Sequence, residues 1–219
     1  ARAVADAAGA LSIDVLEGVA SLVDQNLLRQ EQGPDSEPRF GMLETIREFA
    51  AERLVESGER DVLRARHLEW CVAVAASAVP EIVSEGSRNW TLLNVEVANL
   101  LGAARWGLES TPQRQRLALA LLARLDWTIS KMPAHDIWQI YRRAIPIAQA
   151  LPDVVEGAHV VYSAVGFPIL RGLVSSGDGV DAELLGDLSI ADELFAAHGY
   201  ERGRSWVSQS RGSLFMLRG

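Results

Sequence analysis

The side chains that most often carry catalysis or bind metals are few in this sequence and are not clustered. Four histidines and one cysteine, Cys71, are spread over 219 residues, and their spacing matches no zinc-ligand pattern. His135 and Asp136 form an adjacent histidine–carboxylate pair, at a predicted helix start where aspartate is favoured anyway. Neither a Gly-x-x-x-x-Gly-Lys-Ser/Thr phosphate loop nor a Gly-x-Ser-x-Gly nucleophile turn occurs. We therefore expect no catalytic residue, metal or cofactor in this chain.

Arginines supply almost all of the basic side chains, since Lys131 is the single lysine. Arg29, Arg39 and Arg47 are candidate DNA contacts, because guanidinium groups bind phosphates and base edges. Ordinary solvated charges are the alternative interpretation. The net charge of −8 argues against nucleic acid as a partner of the whole chain, because phosphate binding requires a basic surface.

A second group of candidate contact residues lies in the later part of the chain. Its aromatic side chains are candidates for lining a ligand groove, and its arginines for contacting a partner or effector. Helix packing for the aromatics and solvated surface for the arginines are the alternatives. The group comprises Trp127, Trp138, Tyr141, Arg142, Arg171, Arg204 and Arg211.

Residues 22–54 have the pattern of a short β-hairpin between two helices. A loosely alternating run over 27–32, turn residues at 33–35 and a second apolar run over 38–42 predict two strands. From Leu43 apolar residues recur at helical spacing, and Ser57-Gly58 predicts the helix end. A helix, a two-stranded ribbon and another helix form the last part of a winged-helix domain.

The helix before this ribbon combines an apolar stripe with acidic charges. Ser12 is its predicted N-cap. The predicted buried stripe consists of Ile13, Leu16, Val19, Ala20 and Val23. Asp14, Glu17 and Asp24 lie on this helix, and no basic residue occurs between Ser12 and Leu28. A helix that enters the major groove needs donors for base edges and cations for phosphates, so we expect this helix to contact polypeptide instead.

Residues 59–219 show successive amphipathic helical patterns. The predicted helices include residues 59–76, a helix capped by Asn89, residues 112–130 and a helix from Pro133 in which Pro146 makes a kink or a break. The predicted stripe of the first consists of Leu63, His67, Trp70, Cys71 and Val74. The predicted stripe of the second consists of Trp90, Leu93, Val97, Leu100, Ala104 and Leu108.

The end of the chain contains an internal similarity. Residues 163–172 resemble residues 210–219, and their Leu-Arg-Gly triplets are 47 positions apart. A loop over 174–181 accounts for the length of this period, and Pro168 interrupts the helical pattern of the earlier copy. We expect five small residues to let neighbouring helices approach closely. These are Ala191, Ala197, Gly203, Ser210 and Gly212.

Two stretches resemble a known family. L-V-D-Q-N-L-L-R (22–29) and R-F-G-M-L-E-T-I-R-E-F-A-A-E-R-L (39–54) are similar to the winged-helix segment of bacterial signal-transduction ATPases with numerous domains, the STAND class. In the LuxR-type regulators of this class, tetratricopeptide-like repeats follow that segment. Trp90 with Glu96-x-x-Asn99-Leu100-x-x-Ala103 resembles the family's signature in the first helical hairpin after the winged helix.

The resemblance implies a mainly α fold, with the end of a winged-helix domain over 1–58 and a tetratricopeptide-like array over 59–219 that continues beyond this fragment. It further implies a non-catalytic regulatory segment that couples effector or partner binding to an upstream nucleotide-binding module holding ATP or ADP and Mg²⁺. Direct DNA binding by the winged helix is the alternative. We expect a cytoplasmic location, because no apolar run approaches the ~20 residues of a membrane span.

Overall fold

A computed structural model describes residues 1–6, 9, 11–33, 38–79, 90–125, 134–170 and 178–216. This part of the chain is mainly helical, with an antiparallel two-stranded ribbon followed by a helical array, so the predicted fold class is confirmed. The chain folds as two compact units, Ala1–Trp70 (the ribbon unit) and Cys71–Gly219 (the helical array). The predicted domain boundary between residues 58 and 59 stays a prediction.

The ribbon unit follows the predicted order of elements. Its elements are α1 (Arg2–Ala5), α2 (Val15–Asp24), β1 (Arg29–Gln32), β2 (Pro38–Gly41), α3 (Glu44–Glu56) and the first part of α4 (Arg60–Ala78). Arg29 pairs with Gly41 and Gln32 with Pro38, which confirms the ribbon. Pro38 is the first residue of its strand, where a missing N–H is tolerated. Gly58 follows the C-cap of α3 with φ +75°, a backbone conformation that glycine adopts without strain. The predicted turn residues at 34–35 lie outside the described residues.

The N-cap of α2 is Asp14, so the prediction of Ser12 is wrong. The backbone of Asp14 is extended, and its carboxylate accepts a hydrogen bond of 2.7 Å from the Leu16 N–H. This hydrogen bond is the main reason why the pKa of Asp14 is lowered. An Asp is an equally good cap as a Ser, and its negative charge also complements the helix dipole.

The predicted buried stripe of α2 is wrong as well. Val15 is the one buried residue of this helix, whereas Leu16 is 71% and Ile13 58% exposed. The helix is amphipathic as predicted, but Ile13, Leu16 and Ala20 of the predicted stripe are exposed, and Val19 and Val23 are half-buried. In α4 the buried positions are Leu68, Cys71, Ala75 and Ala78. Of the predicted stripe, Cys71 is buried and the other four residues, Leu63, His67, Trp70 and Val74, are half-buried.

The helical array contains six helices in its described part, after the end of α4. They are α5 (Trp90–Leu108), α6 (Pro112–Leu125), α7 (Ala134–Ala150), α8 (Val155–Leu170), α9 (Asp178–Ala197) and α10 (Glu201–Met216). Helices α5 and α6, α7 and α8, α8 and α9, and α9 and α10 pack as neighbours, and α8 also contacts α6 and α10. Helix α8 is therefore central, and it is buried almost all round between Gly157 and Gly166.

Several predicted features of the array are confirmed. Thr111 precedes α6 with Pro112 as its first residue, and the α5 stripe from Leu93 to Leu108 is buried. Neither Pro146 nor Pro168 ends its helix. The predicted loop over 174–181 is wrong from Asp178, where α9 begins, and its first four residues lie outside the described part. The predicted helix boundaries at Asn89, Ser130 and Pro133 also lie outside it.

Three of the five small residues occupy close contacts in the array. Ala191, Gly203 and Ser210 are buried, whereas Ala197 and Gly212 are exposed, so the prediction is wrong for those two. A Cβ at Gly203 would lie 2.6 Å from ring carbons of both Phe195 and Tyr200. Helix α10 can therefore approach this ring pair only with glycine at position 203.

Candidate functional site

The three candidate DNA-contact arginines lie on different elements of the ribbon unit. Arg29 is exposed on β1, and Arg39 on β2 is half-buried and directly opposite Glu31. Arg47 on α3 donates hydrogen bonds to the Glu44 carboxylate, which lower the pKa of Glu44. Because Glu31 and Glu44 offset two of the three positive charges, these arginines do not form a purely basic surface.

The ribbon unit instead exposes large apolar side chains. Of the twelve exposed large hydrophobic residues in the described part of the chain, ten belong to this unit, and the other two are Phe215 and Met216. The ten are Leu11, Ile13, Leu16, Leu22, Phe40, Met42, Leu43, Phe49, Val55 and Val62. A contiguous exposed apolar surface is typical of sites that contact other polypeptides, and these ten side chains are the candidates to form one.

Two of the three aromatic candidates in the array, Trp138 and Tyr141, make hydrogen bonds to neighbouring helices. The Tyr141 side chain is 3% exposed, and its hydroxyl donates a hydrogen bond of 2.7 Å to the Leu122 carbonyl. The Trp138 indole donates one of 3.0 Å to the Ala164 carbonyl. These bonds fix α7 against α6 and α8. Trp127 lies outside the described residues.

Arg142 on α7 is joined to α9 by ion pairs. Its guanidinium donates to Asp187 and also pairs with Glu183, and it lies 5.4 Å from the Trp138 ring centroid. Burial raises the pKa of Asp187, and the neighbouring Arg142 only partly counteracts this shift. Arg142 therefore links two helices of the array.

Arg204 and Arg211 on α10 make corresponding contacts to α9. Arg204 donates a hydrogen bond of 3.0 Å to Asp192, and Arg211 donates one of 3.1 Å to the Ser189 hydroxyl. Both arginines are therefore engaged in helix–helix contacts within the array. Arg171 lies outside the described residues.

The Glu-x-x-Asn motif is a local hydrogen-bonded unit of the array. Asn99 donates a hydrogen bond of 2.7 Å to the buried Glu96 carboxylate. The Cys71 sulfur lies 3.8 Å from the Asn99 carbonyl, and burial, with a smaller contribution from Glu96, raises the pKa of Cys71 to about 12. The thiol is therefore protonated near neutral pH and is a poor nucleophile.

The structure brings together one set of residues that the sequence did not indicate. Arg105 on α5 and Gln139, Ile140 and Arg143 on α7 line a groove of about 310 Å³. An adjoining space of about 150 Å³ shares the two arginines and Ile140, and it is further lined by Leu108, Glu109 and Ile147. No sequence motif marks this groove, because its two sides are more than thirty positions apart and meet only through packing of α5 on α7.

Two further properties apply to the described residues. No group of three or more histidine, cysteine or acidic side chains there is placed to hold a metal ion. None of the helices in that part is long and apolar enough to cross a membrane.

Comparison with known proteins finds similarity to helix-turn-helix regulators. The chain is 32% identical over 126 residues to proteins named as candidate HTH-type transcriptional regulators in Mycobacterium bovis and in two strains of Mycobacterium tuberculosis. The similarity covers 58% of this chain but only 14% of each relative's length. No protein-family model matches the chain, and no solved structure matches it.

Proposed function

We propose that this chain is a non-catalytic regulatory and protein-interaction segment of a multidomain transcriptional regulator. The observation that carries the proposal is the exposed apolar surface of the ribbon unit, above all Leu16 and Phe49. Burial of one such side chain against a partner contributes about 1.5–3 kcal/mol, so a few of them suffice for specific association. The regulator names of the relatives support the regulatory context.

The partner of the ribbon unit in this proposal is an upstream nucleotide-binding module of the STAND class. The support is the resemblance of residues 22–54 to the segment that follows such a module, together with the acidic surface of α2. ATP or ADP and Mg²⁺ would be held by that module, in the cytoplasm. The helical array, with α7–α8 and α9–α10 as tetratricopeptide-like pairs, would take up an effector or protein partner.

Association of this chain with the nucleotide-binding module, added as a separate protein, tests the proposal. We expect binding that slows nucleotide exchange, and we expect Leu16→Glu or Phe49→Glu to weaken it by at least about tenfold, since a charge replaces an apolar contact. Met216→Glu is the matched control, because Met216 is 81% exposed but belongs to the array. Absence of association for the unaltered chain would count against the proposal, as would equal loss in the control.

Direct DNA binding by the ribbon unit is the second candidate function. The helix-turn-helix designation of the relatives and the exposure of Arg29 and Arg47 favour it. A salt-dependent gel shift should then weaken when Arg29, Arg39 and Arg47 are changed to Ala, but not with Arg116→Ala. The absence of any shift at low salt would exclude this function.

A further inference from the structure

We propose that the groove between α5 and α7 binds a small anionic molecule through Arg105 and Arg143. Both arginines line the same space of about 310 Å³, although they come from different helices. Pockets for small ligands begin at about 300 Å³, so this groove fits a compact molecule. Arginine binds carboxylate and phosphate groups through pairs of parallel hydrogen bonds, so a groove lined by two arginines suits an anion.

The first argument is that Arg105 has no partner among the described residues, in contrast to the other arginines of the array. The other arginines in the described part of the array each have an acceptor or a ring partner. They are Arg114, Arg116, Arg124, Arg142, Arg202, Arg204 and Arg211. Arg105, by contrast, makes no hydrogen bond or ion pair to a described residue, although it lines the groove. Its charge is therefore available to a ligand.

The second argument concerns Arg143, whose ion pair is weak. Its Nη1 lies 3.5 Å from the Glu109 carboxylate, and the two side chains are 62% and 65% exposed. A surface pair with such geometry contributes little to stability, because water screens both charges. A bound anion can replace Glu109 without loss of a structural contact. Glu109 itself repels anions from the adjoining space, so its removal should improve binding.

The lining residues also define the class of ligand. The groove between Arg105 and Arg143 is lined mainly by polar atoms, and Ile140, which is 4% exposed, adds little apolar surface to it. Leu108 and Ile147 extend the apolar side of the adjoining space. These features fit a small metabolite that carries a phosphate or carboxylate group on a partly apolar body. The role of this anion as the effector of the array rests on the proposed regulatory function. The binding of the anion to the groove does not rest on that function.

Calorimetric titration of the whole chain with inorganic phosphate and, separately, with malonate tests the site, at constant ionic strength maintained with chloride. We expect saturable binding of at least one probe. Phosphate binding alone would assign a phosphorylated ligand, and malonate binding alone a carboxylate ligand. Arg105→Gln and Arg143→Gln should each weaken binding by about tenfold, because each removes one charged donor pair. Glu109→Gln should strengthen it by about twofold or more.

Arg116→Gln is the matched control, because Arg116 is an exposed arginine of the array whose ion pair with Asp153 lies outside the groove. Its binding constant should equal that of the unaltered chain. Circular dichroism of each variant separates loss of the site from loss of the fold, and Glu109→Gln tests the site by a gain of affinity. The proposal would be overturned if neither phosphate nor malonate bound, or if Arg116→Gln weakened binding as much as Arg105→Gln and Arg143→Gln. None of these results depends on association with a nucleotide-binding module, so the two proposals can fail separately.

Discussion

The ribbon unit and the helical array place their large apolar side chains differently. In the array, Leu119, Leu122, Leu188 and Phe195 are fully buried, and α8 is covered by four other helices. In the ribbon unit, α3 has no buried residue and α2 has one. Both units contain amphipathic helices, so the difference lies in what covers the apolar faces.

Charged residues show the same contrast. Ion pairs of the ribbon unit, such as Arg47–Glu44 and Arg53–Glu56, join side chains that are more than half exposed. In the array, the Arg142 and Asp187 side chains are only 23% and 11% exposed, and their pair joins two helices. The array is therefore stabilised by internal packing, whereas the ribbon unit leaves most of its large apolar side chains and its ion pairs exposed.

Truncation of one phenylalanine in each unit should give the largest difference in stability loss between the two units. Phe195 is fully buried among His159, Tyr162, Tyr200 and Trp206, so Phe195→Ala should lower the free energy of unfolding of the array by about 3–5 kcal/mol. Phe49→Ala should change the stability of the ribbon unit by about 0.5 kcal/mol or less, because its ring is 59% exposed.

Urea denaturation, monitored by amide hydrogen exchange in each unit, measures both changes in the free energy of unfolding. Tryptophan fluorescence reports mainly on the array, which contains five of the six tryptophans, including Trp206 in the same cluster as Phe195. If Phe49→Ala destabilised the ribbon unit as much as Phe195→Ala destabilises the array, the ribbon unit would have an internal core and the comparison would be wrong.

Local sequence chemistry was sufficient for several elements of both units, although not for the start of α9. Turn residues and the alternating run predicted the ribbon, Thr111-Pro112 predicted the start of α6, and helical spacing predicted the buried stripe of α5. The cap of α2 was misassigned because Ser12 and Asp14 are both good caps. The N-cap is the residue that has an extended backbone and a side chain within reach of a free N–H group in the first turn of the helix.

Tertiary packing accounts for what the sequence did not predict. Periodicity shows which face of α2 is apolar, but it cannot show whether another element covers that face. The groove was missed for a similar reason, because Arg105 and Arg143 become neighbours only when α5 packs on α7. Arg142, adjacent to Arg143 in the sequence, pairs instead with Asp187 on α9. One residue along a helix changes which neighbouring element a side chain faces.

Acid should destabilise the array in a pH window set by His159. Its ring lies 5.2 Å from Phe195 and 5.3 Å from Tyr200, and burial lowers its pKa to about 4, from 6.5 in an exposed histidine. Between pH 4 and pH 6.5, therefore, His159 is mostly protonated in the unfolded chain and mostly neutral in the folded array. The stability contributed by neutral His159 is complete above about pH 6.5 and should decrease by about 2–3 kcal/mol as the pH falls to 4.

Urea denaturation between pH 7.5 and 4, compared with a His159→Leu variant, measures this contribution. The variant should lack this part of the pH dependence. In the ribbon unit, Asp14 has a lowered pKa owing mainly to the Leu16 N–H, so its contribution is lost only as the pH falls below about 3.8. Identical pH profiles for the unaltered chain and the His159→Leu variant would show that His159 can be protonated in the folded array.

Addition of one methyl group should have opposite effects in the two units. At Gly203 the new Cβ would lie 2.6 Å from ring carbons of Phe195 and Tyr200, so Gly203→Ala should destabilise the array by about 1–2 kcal/mol. At Gly18 on α2 it would lie 3.3 Å from Cδ1 of Ile13, the end of an exposed and flexible side chain. Gly18→Ala should therefore stabilise α2 by about 0.5–1 kcal/mol, because alanine favours helix.

Amide hydrogen exchange distinguishes the two effects, since it reports separately on α2 and on the helices that surround Phe195. We expect slower exchange in α2 of Gly18→Ala and faster exchange in α9 and α10 of Gly203→Ala. If both substitutions slowed exchange, the close approach at Gly203 would be relieved by movement of the rings, and the array would be less tightly packed than its buried side chains indicate. If both accelerated it, Ile13 would be held in place at Gly18, and the apolar face of α2 would be more ordered than its exposure indicates.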